Sequence, residues 1–145
     1  MKFVSFIVAL LFLFSFNTSN AQGMVVGETT GGVECAVGLD YLTVGVALTD
    51  STVRFYNTTT LPSITFADNI DSLIAQSEHD WIKVTIVTTK GIYTAGQEVM
   101  VNRKAIQRIT KNGDDTAYIR MRALALSFNT DEDYDDIVID IINGI

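Results

Sequence analysis

Apolar and polar side chains alternate along most of this chain, and a period of two leaves it little to fold into except half-buried strands. The stretches "LDYLTVGVAL" (39–48), "STVRFYN" (51–57), "WIKVTIVTT" (81–89), "EVMVN" (98–102) and "TAYIRMRALALSF" (116–128) are all rich in β-branched and aromatic residues. Gly27, Gly31, Gly32, Gly91, Gly96 and "NGDD" at 112–115 separate them as turns. Asn112-Gly113 is expected to form a tight hairpin turn, because both residues tolerate a positive φ. The only proline, Pro62, suits a loop or an edge strand.

Two segments carry helical spacing instead. Ile137, Val138, Ile141 and Ile142 follow Tyr134 at steps of three and four, which predicts a C-terminal helix over about 131–142. Ile70, Leu73 and Ile74 predict a shorter helix over about 69–77. Each follows strand-like sequence ending in an aromatic residue, Phe66 or Phe128, and a capping candidate, Asp68 or Thr130. The same order therefore occurs twice, about 62 to 64 residues apart, as a tandem duplication would leave it. The expected fold is α+β and mostly β. It would comprise two small antiparallel units, roll- or barrel-like, over 22–80 and 81–145, each ending in a short helix.

The N-terminus has a different character. Lys2 precedes an apolar run from Phe3 to Phe16, and Ser19-Asn20-Ala21 then sets small side chains before a cleavage point. That is the layout of a secretory signal peptide over 1–21, with Gln22 opening the mature chain. The run has 14 residues, short against the roughly 20 that a spanning helix requires, so no stable membrane span is expected after cleavage. The expected location is secreted, periplasmic or on the extracellular surface. About 124 residues would remain, with Cys35 as the lone cysteine, so no internal disulfide can staple the core. "VECAVGL" surrounds Cys35 with apolar neighbours and reads as a buried thiol, with an intermolecular disulfide as the sharper alternative.

Charge is distributed in blocks. Residues 22–80 hold eight acids against Arg54, residues 81–122 hold eight bases against three acids, and residues 123–145 hold six acids and no base. The overall acidity argues against nucleic acid as a partner. The uneven layout suits a basic face docking on an acidic one, within the molecule or on a neighbour.

The second half, through "WIKVTIVTTKG", "EVMVNRKAIQRITKNGDDTAYIRM" and "SFNTDEDYDDIVIDI", resembles small bacterial flagellar-associated proteins of the FlbD type. Val101-Asn102, Ile106, Ile109, Tyr118, Ile119, Tyr134 and Ile137 carry the likeness, and LytTR-type DNA-binding domains share a similar rhythm. The resemblance implies a small β-rich fold and carries no function across. Both families work inside the cell, whereas this chain opens with an export-type segment.

Five carboxylates crowd into positions 131 to 136. Asn129, Asp131, Asp133 and Asp135 alternate like the oxygen ligands of a calcium loop. However, Tyr134 stands where an EF-hand needs glycine, and Asp140 where it needs glutamate. A helix start explains the crowd more fully: Thr130 would cap, Asp133 would complete a capping box, and the other acids would meet the positive end of the helix dipole. No cofactor or metal is therefore expected.

Catalytic signals are sparse. The only histidine, His79, lies in the polar junction "SEHDW" and reads as a solvated linker residue. "GETTGG" lacks the Lys and Ser/Thr of a phosphate loop and reads as a flexible start to the mature chain. "NTT" at 57–59 is a glycosylation acceptor at Asn57 only in a eukaryotic host. Arg103, Lys104, Arg108, Lys111, Arg120 and Arg122 gather into one basic patch, read as a docking patch or a solvated face. The functional expectation is an exported, non-enzymatic structural or binding protein of a cell envelope, extracellular matrix or virion. It would self-assemble as a homo-oligomer or bind another protein. A small secreted hydrolase using a carboxylate pair is the alternative, and a DNA-binding module is third.

Overall fold

In the computed structural model, residues 23–57 and 62–143 are described, with the backbone alone at Pro62 and Ser63. The expected signal peptide lies outside them, as do Thr58 and Thr59 of the acceptor triplet. The fold is α+β and mostly β. Strands β1 (Met24–Glu28) and β2 (Glu34–Gly38) form a hairpin, so "GETTGG" is the end of β1 and an ordered turn, not a flexible leader. Its turn is closed by hydrogen bonds from the Thr29 N–H to the Val33 carbonyl and from the Gly32 N–H to the Thr29 carbonyl, with Gly32 at φ +78°.

A five-stranded sheet follows in the order β5-β4-β3-β7-β6: β3 (Val44–Thr49), β4 (Thr52–Tyr56), β5 (Pro62–Phe66), β6 (Trp81–Thr85) and β7 (Glu98–Asn102). Pro62 opens β5 at the sheet's edge, where a missing N–H is tolerated. The third sheet is β10-β9-β8, from β8 (Ile106–Lys111), β9 (Thr116–Met121) and β10 (Phe128–Asp133). Two helices complete the fold, α1 (Ile70–Ile74) and α2 (Tyr134–Asn143).

Period-two alternation puts the two faces of the five-stranded sheet into different cores. Val44, Val46, Ile82, Val84, Val99 and Val101 point to one side, where they meet Ile119, Met121, Phe128 and Ile137. Val53, Phe55, Trp81 and Met100 point to the other, against Val25, Leu39, Phe66 and Leu73. The sheet thus draws strands from both sides of residue 81. β3 pairs with β7 through Val44↔Val101, Gly45↔Met100 and Val46↔Val99.

The registers of β3, β4 and β5 repeat in β8, β9 and β10 at one constant offset, the step from Val44 to Arg108. Val44↔Tyr56, Gly45↔Phe55, Val46↔Arg54 and Ala47↔Val53 recur in the second half as Arg108↔Arg120, Ile109↔Ile119, Thr110↔Tyr118 and Lys111↔Ala117. Val53↔Phe66 and Phe55↔Ile64 recur as Ala117↔Thr130 and Ile119↔Phe128. The hairpin pair Val25↔Val37 corresponds to Ile82↔Val101, and the lone bridge Thr29↔Phe66 to Ile86↔Thr130. Here β2 matches β7 at the same offset, whereas β1 matches β6 at a shorter one, the step from Val25 to Ile82. Short 3-10 turns at Leu39–Tyr41 and Arg103–Ala105 precede β3 and β8 at the same spacing.

Several local expectations are corrected. Asp68 does not cap α1: Asn69 Oδ1 accepts the Ser72 N–H at 2.8 Å, while Asp68 Oδ1 accepts the Asn69 N–H. The helix is also shorter than 69–77. Thr130 is no cap either, because β10 keeps pairing with β9 as far as Asp133 and holds Thr130 buried. α2 starts at Tyr134, where Asp133 Oδ1 accepts the Asp135 N–H at 2.8 Å. Phe128 begins a strand; it does not end one. In the β8–β9 turn the left-handed residue is Asp115, at φ 68°, and not Asn112 or Gly113.

Candidate functional site

A cleft of about 600 Å³ lies between the β3–β4 turn, the start of α1 and the loop before β7. Asp50, Asp71 and Glu98 line it, so this is where a carboxylate pair could face a substrate. Two of these acids already share a cation. Lys83 Nζ lies 2.8 Å from Asp71 Oδ1 and 3.2 Å from Glu98 Oε1. The hydrogen bond to Asp71, with a further one to Glu98, holds the Lys83 ammonium above the usual lysine range.

The acidic run resolves into separate tasks. Along β10, Phe128, Thr130 and Glu132 turn inward while Asp131 and Asp133 stay exposed. Asn129 is half-buried, with its Oδ1 3.4 Å from Asn112 Nδ2. Asp133 caps α2, and Asp135 lies 3.5 Å from Lys111. Among the described residues no three Asp, Glu, His or Cys side chains converge on a point that could hold a metal ion. Glu132, unremarked in the sequence, is the unusual member. Its Oε1 accepts the Thr85 N–H at 2.8 Å, its Oε2 is buried without a partner, and burial holds its carboxyl above the ordinary range. Period two carried through to Asp133 would have turned Glu132 inward beside Thr130, but the helical reading of the run hid it.

The basic patch divides in two. Arg103 and Lys104 are engaged within the chain: Arg103 donates to the Trp81 and Asp140 carbonyls, and Lys104 lies 3.4 Å from Asp80. Lys111 pairs with Asp115 at 3.0 Å, which raises its ammonium above the usual range, and lies over the Tyr134 ring. Among the described residues, no carboxylate is in salt-bridge range of Arg108, Arg120 or Arg122. Arg108 and Arg120 are direct cross-strand partners and line a shallow hollow of about 300 Å³ with Gln107. Like charges set opposite one another are unfavourable, and the buried Arg120 Nε has no acceptor.

This uncompensated charge sits on and beside β8, an outer strand of its sheet. β2 is the outer strand of the hairpin, and there Glu28 and Glu34 face each other, both exposed. A basic strand edge, on the counterpart of β3, and an edge carrying Glu34, on the counterpart of β7, are thus left on the outside of the two halves. The joint between the halves also holds a residue whose role the sequence did not disclose. The buried Asn102 side chain donates to the Leu39 and Leu42 carbonyls at 3.0 and 2.9 Å and accepts the Lys104 N–H.

Comparison with protein families, with characterised proteins and with solved structures finds no match to this chain. Among the described residues, no helix is long and apolar enough to cross a membrane.

Proposed function

We propose that this is an exported, non-enzymatic structural or binding protein of a cell envelope, extracellular matrix or virion, built as a tandem duplication that assembles with copies of itself. The observation that carries the reading is the pair of outer strands of opposite charge, β8 with its uncompensated Arg108 beside Arg120 of β9, and β2 with Glu34. Opposite fields at two margins suit docking between copies, steering the encounter while apolar contacts supply most of the affinity. The strand register shared by the two halves supports the duplication, and the apolar run at Phe3–Phe16 supports export. Lys83, spanning Asp71 and Glu98, weighs against the hydrolase alternative, since a carboxylate pair at work needs one acid and one base free.

Light scattering across salt concentration tests the assembly. The expected result is a homo-oligomer at low salt that loosens once ions screen the contact over roughly 10 Å. A monomer at high concentration in low salt overturns the self-assembly reading and leaves a foreign partner in its place.

A further inference from the structure

The joint between the two halves is a β3–β7 pair: the third strand of one unit against the second strand of the next. Two strands of those same kinds remain on the outside, β8 as the third strand of the second unit and β2 as the second strand of the first. Resting on the self-assembly reading above, we infer that β8 of one molecule pairs antiparallel with β2 of another in the register that joins the halves, giving a head-to-tail assembly. The occupant of the β8 edge is thus a second copy of this chain.

Three observations support the match. The first is register. The offset that relates the halves carries β3 forward onto β8 and β7 back onto β2. It sets Arg108 opposite Val37, Ile109 opposite Ala36 and Thr110 opposite Cys35. One step further, Lys111, which Asp115 and Asp135 also hold, stands opposite Glu34.

The second is the direction of the backbone groups. Asn112 donates to the Thr116 carbonyl, so residues 108, 110 and 112 bond inward to β9, and Ile109 and Lys111 turn their N–H and C=O groups outward. Thr29 donates to the Val33 carbonyl and Leu39 to the Gly23 carbonyl, so the odd-numbered residues of β2 bond inward, and Glu34 and Ala36 turn outward. The outward residues of each edge are those that the inferred register brings together. The register shift in β8 lies between Ile106 and Arg108, which leaves the stretch from Arg108 to Lys111 regular.

The third is the apolar surface beside the edges. Across the internal joint α1 packs against β7. Its counterpart α2 would lie over the hairpin of the next copy, and it exposes Ile139 and Ile142 while the hairpin exposes Val26. A joint of unlike surfaces does not close on itself as a symmetric dimer does; repeated, it gives a ring or an open filament.

The single cysteine makes this testable. Thr110 and Cys35 form a non-hydrogen-bonded pair in the inferred register, with Cα atoms about 4.5 Å apart, close enough for a disulfide. Thr110→Cys, at an exposed site, is oxidised with oxidised glutathione at low salt and run on a non-reducing gel beside Arg108→Cys and the unaltered protein. The expected result is a ladder reaching trimers and beyond for Thr110→Cys alone. The unaltered protein can link only in pairs through Cys35, and Arg108→Cys places its thiol opposite Val37. If light scattering shows assembly but Thr110→Cys gives no ladder, or Arg108→Cys gives the same one, the joint is wrong and self-assembly stands. If the unaltered protein scatters as a monomer, the self-assembly reading itself falls.

Discussion

Glu132 shows how far a side chain's chemistry depends on which way its strand faces. It lies among six acids without a base in residues 123–145, yet it alone is drawn inward, with one oxygen on the Thr85 N–H and the other orphaned. Burial raises its carboxyl pKa above the ordinary value of 4.5, so the folded state holds the proton more tightly than the unfolded chain does. The consequence runs opposite to that of a salt-bridged acid: the contribution is most favourable below the unfolded value and declines as pH rises through the folded one. Glu132→Gln keeps an oxygen for Thr85 and removes the buried charge. Its melting temperature should exceed that of the unaltered protein at pH 7, and the gain should shrink as pH falls below about 4, where the native carboxyl is also neutral. Thermal melts between pH 3 and 8 would show it, and a gain independent of pH would assign the effect to packing instead.

At the scale of elements, the β3–β7 pair matters most, and two residues make it possible. Gly45 leaves room for the side chains of its two cross-strand neighbours: a Cβ there would lie 2.7 Å from Met100 Cγ and 2.8 Å from Phe55 Cε1. Both neighbours are fully buried, so Gly45→Ala should destabilise by about 1–3 kcal/mol, the usual cost of overpacking, read from urea denaturation. Asn102 then ties the 3-10 turn before β3 to the end of β7. Asn102→Ala takes the side-chain donor from the Leu42 carbonyl, and one of two donors from the Leu39 carbonyl, which keeps the Leu42 N–H; the expected loss is about 1–3 kcal/mol. A loss below about 1 kcal/mol would mean that water replaces the amide.

For the whole molecule, the five-stranded sheet separates two cores and lends side chains to both. The core beneath β8–β10 includes Val44, Val46 and Tyr56 from the first half, and the other core includes Trp81 and Met100 from the second. A fragment covering 81–145 would lose the first set and expose the matching face of β7. A domain that small buries too little of its unfolded surface to be more than marginal even when complete. The fragment should therefore show no cooperative thermal transition by circular dichroism, and adding the 22–80 segment in trans should restore one. A sharp transition from the fragment alone would show that the second unit is self-sufficient.

The sequence by itself marked many of the elements, though not β1, β2, β8 or β10. Period-two alternation marked the strand-rich stretches, and the turn at 112–115 and the two apolar helical faces were legible because each depends on residues a few positions apart. It also displayed the twofold order of elements and the segregation of charge into blocks. Only the tertiary structure decided what depends on distant partners. Thr130 and Asp133 look like a capping box in isolation, but pairing with β9 extends β10 through them and moves the helix start to Tyr134. Six basic residues look like one patch, but Asp80, Asp115, Asp135 and two backbone carbonyls engage three of them and leave Arg108, Arg120 and Arg122 uncompensated. The register of β3 on β7 is likewise beyond local reading. Alternation decides which side chains share a face of a strand, whereas the neighbour is decided by which core each face must fill and by the room that Gly45 leaves for the Met100 and Phe55 side chains.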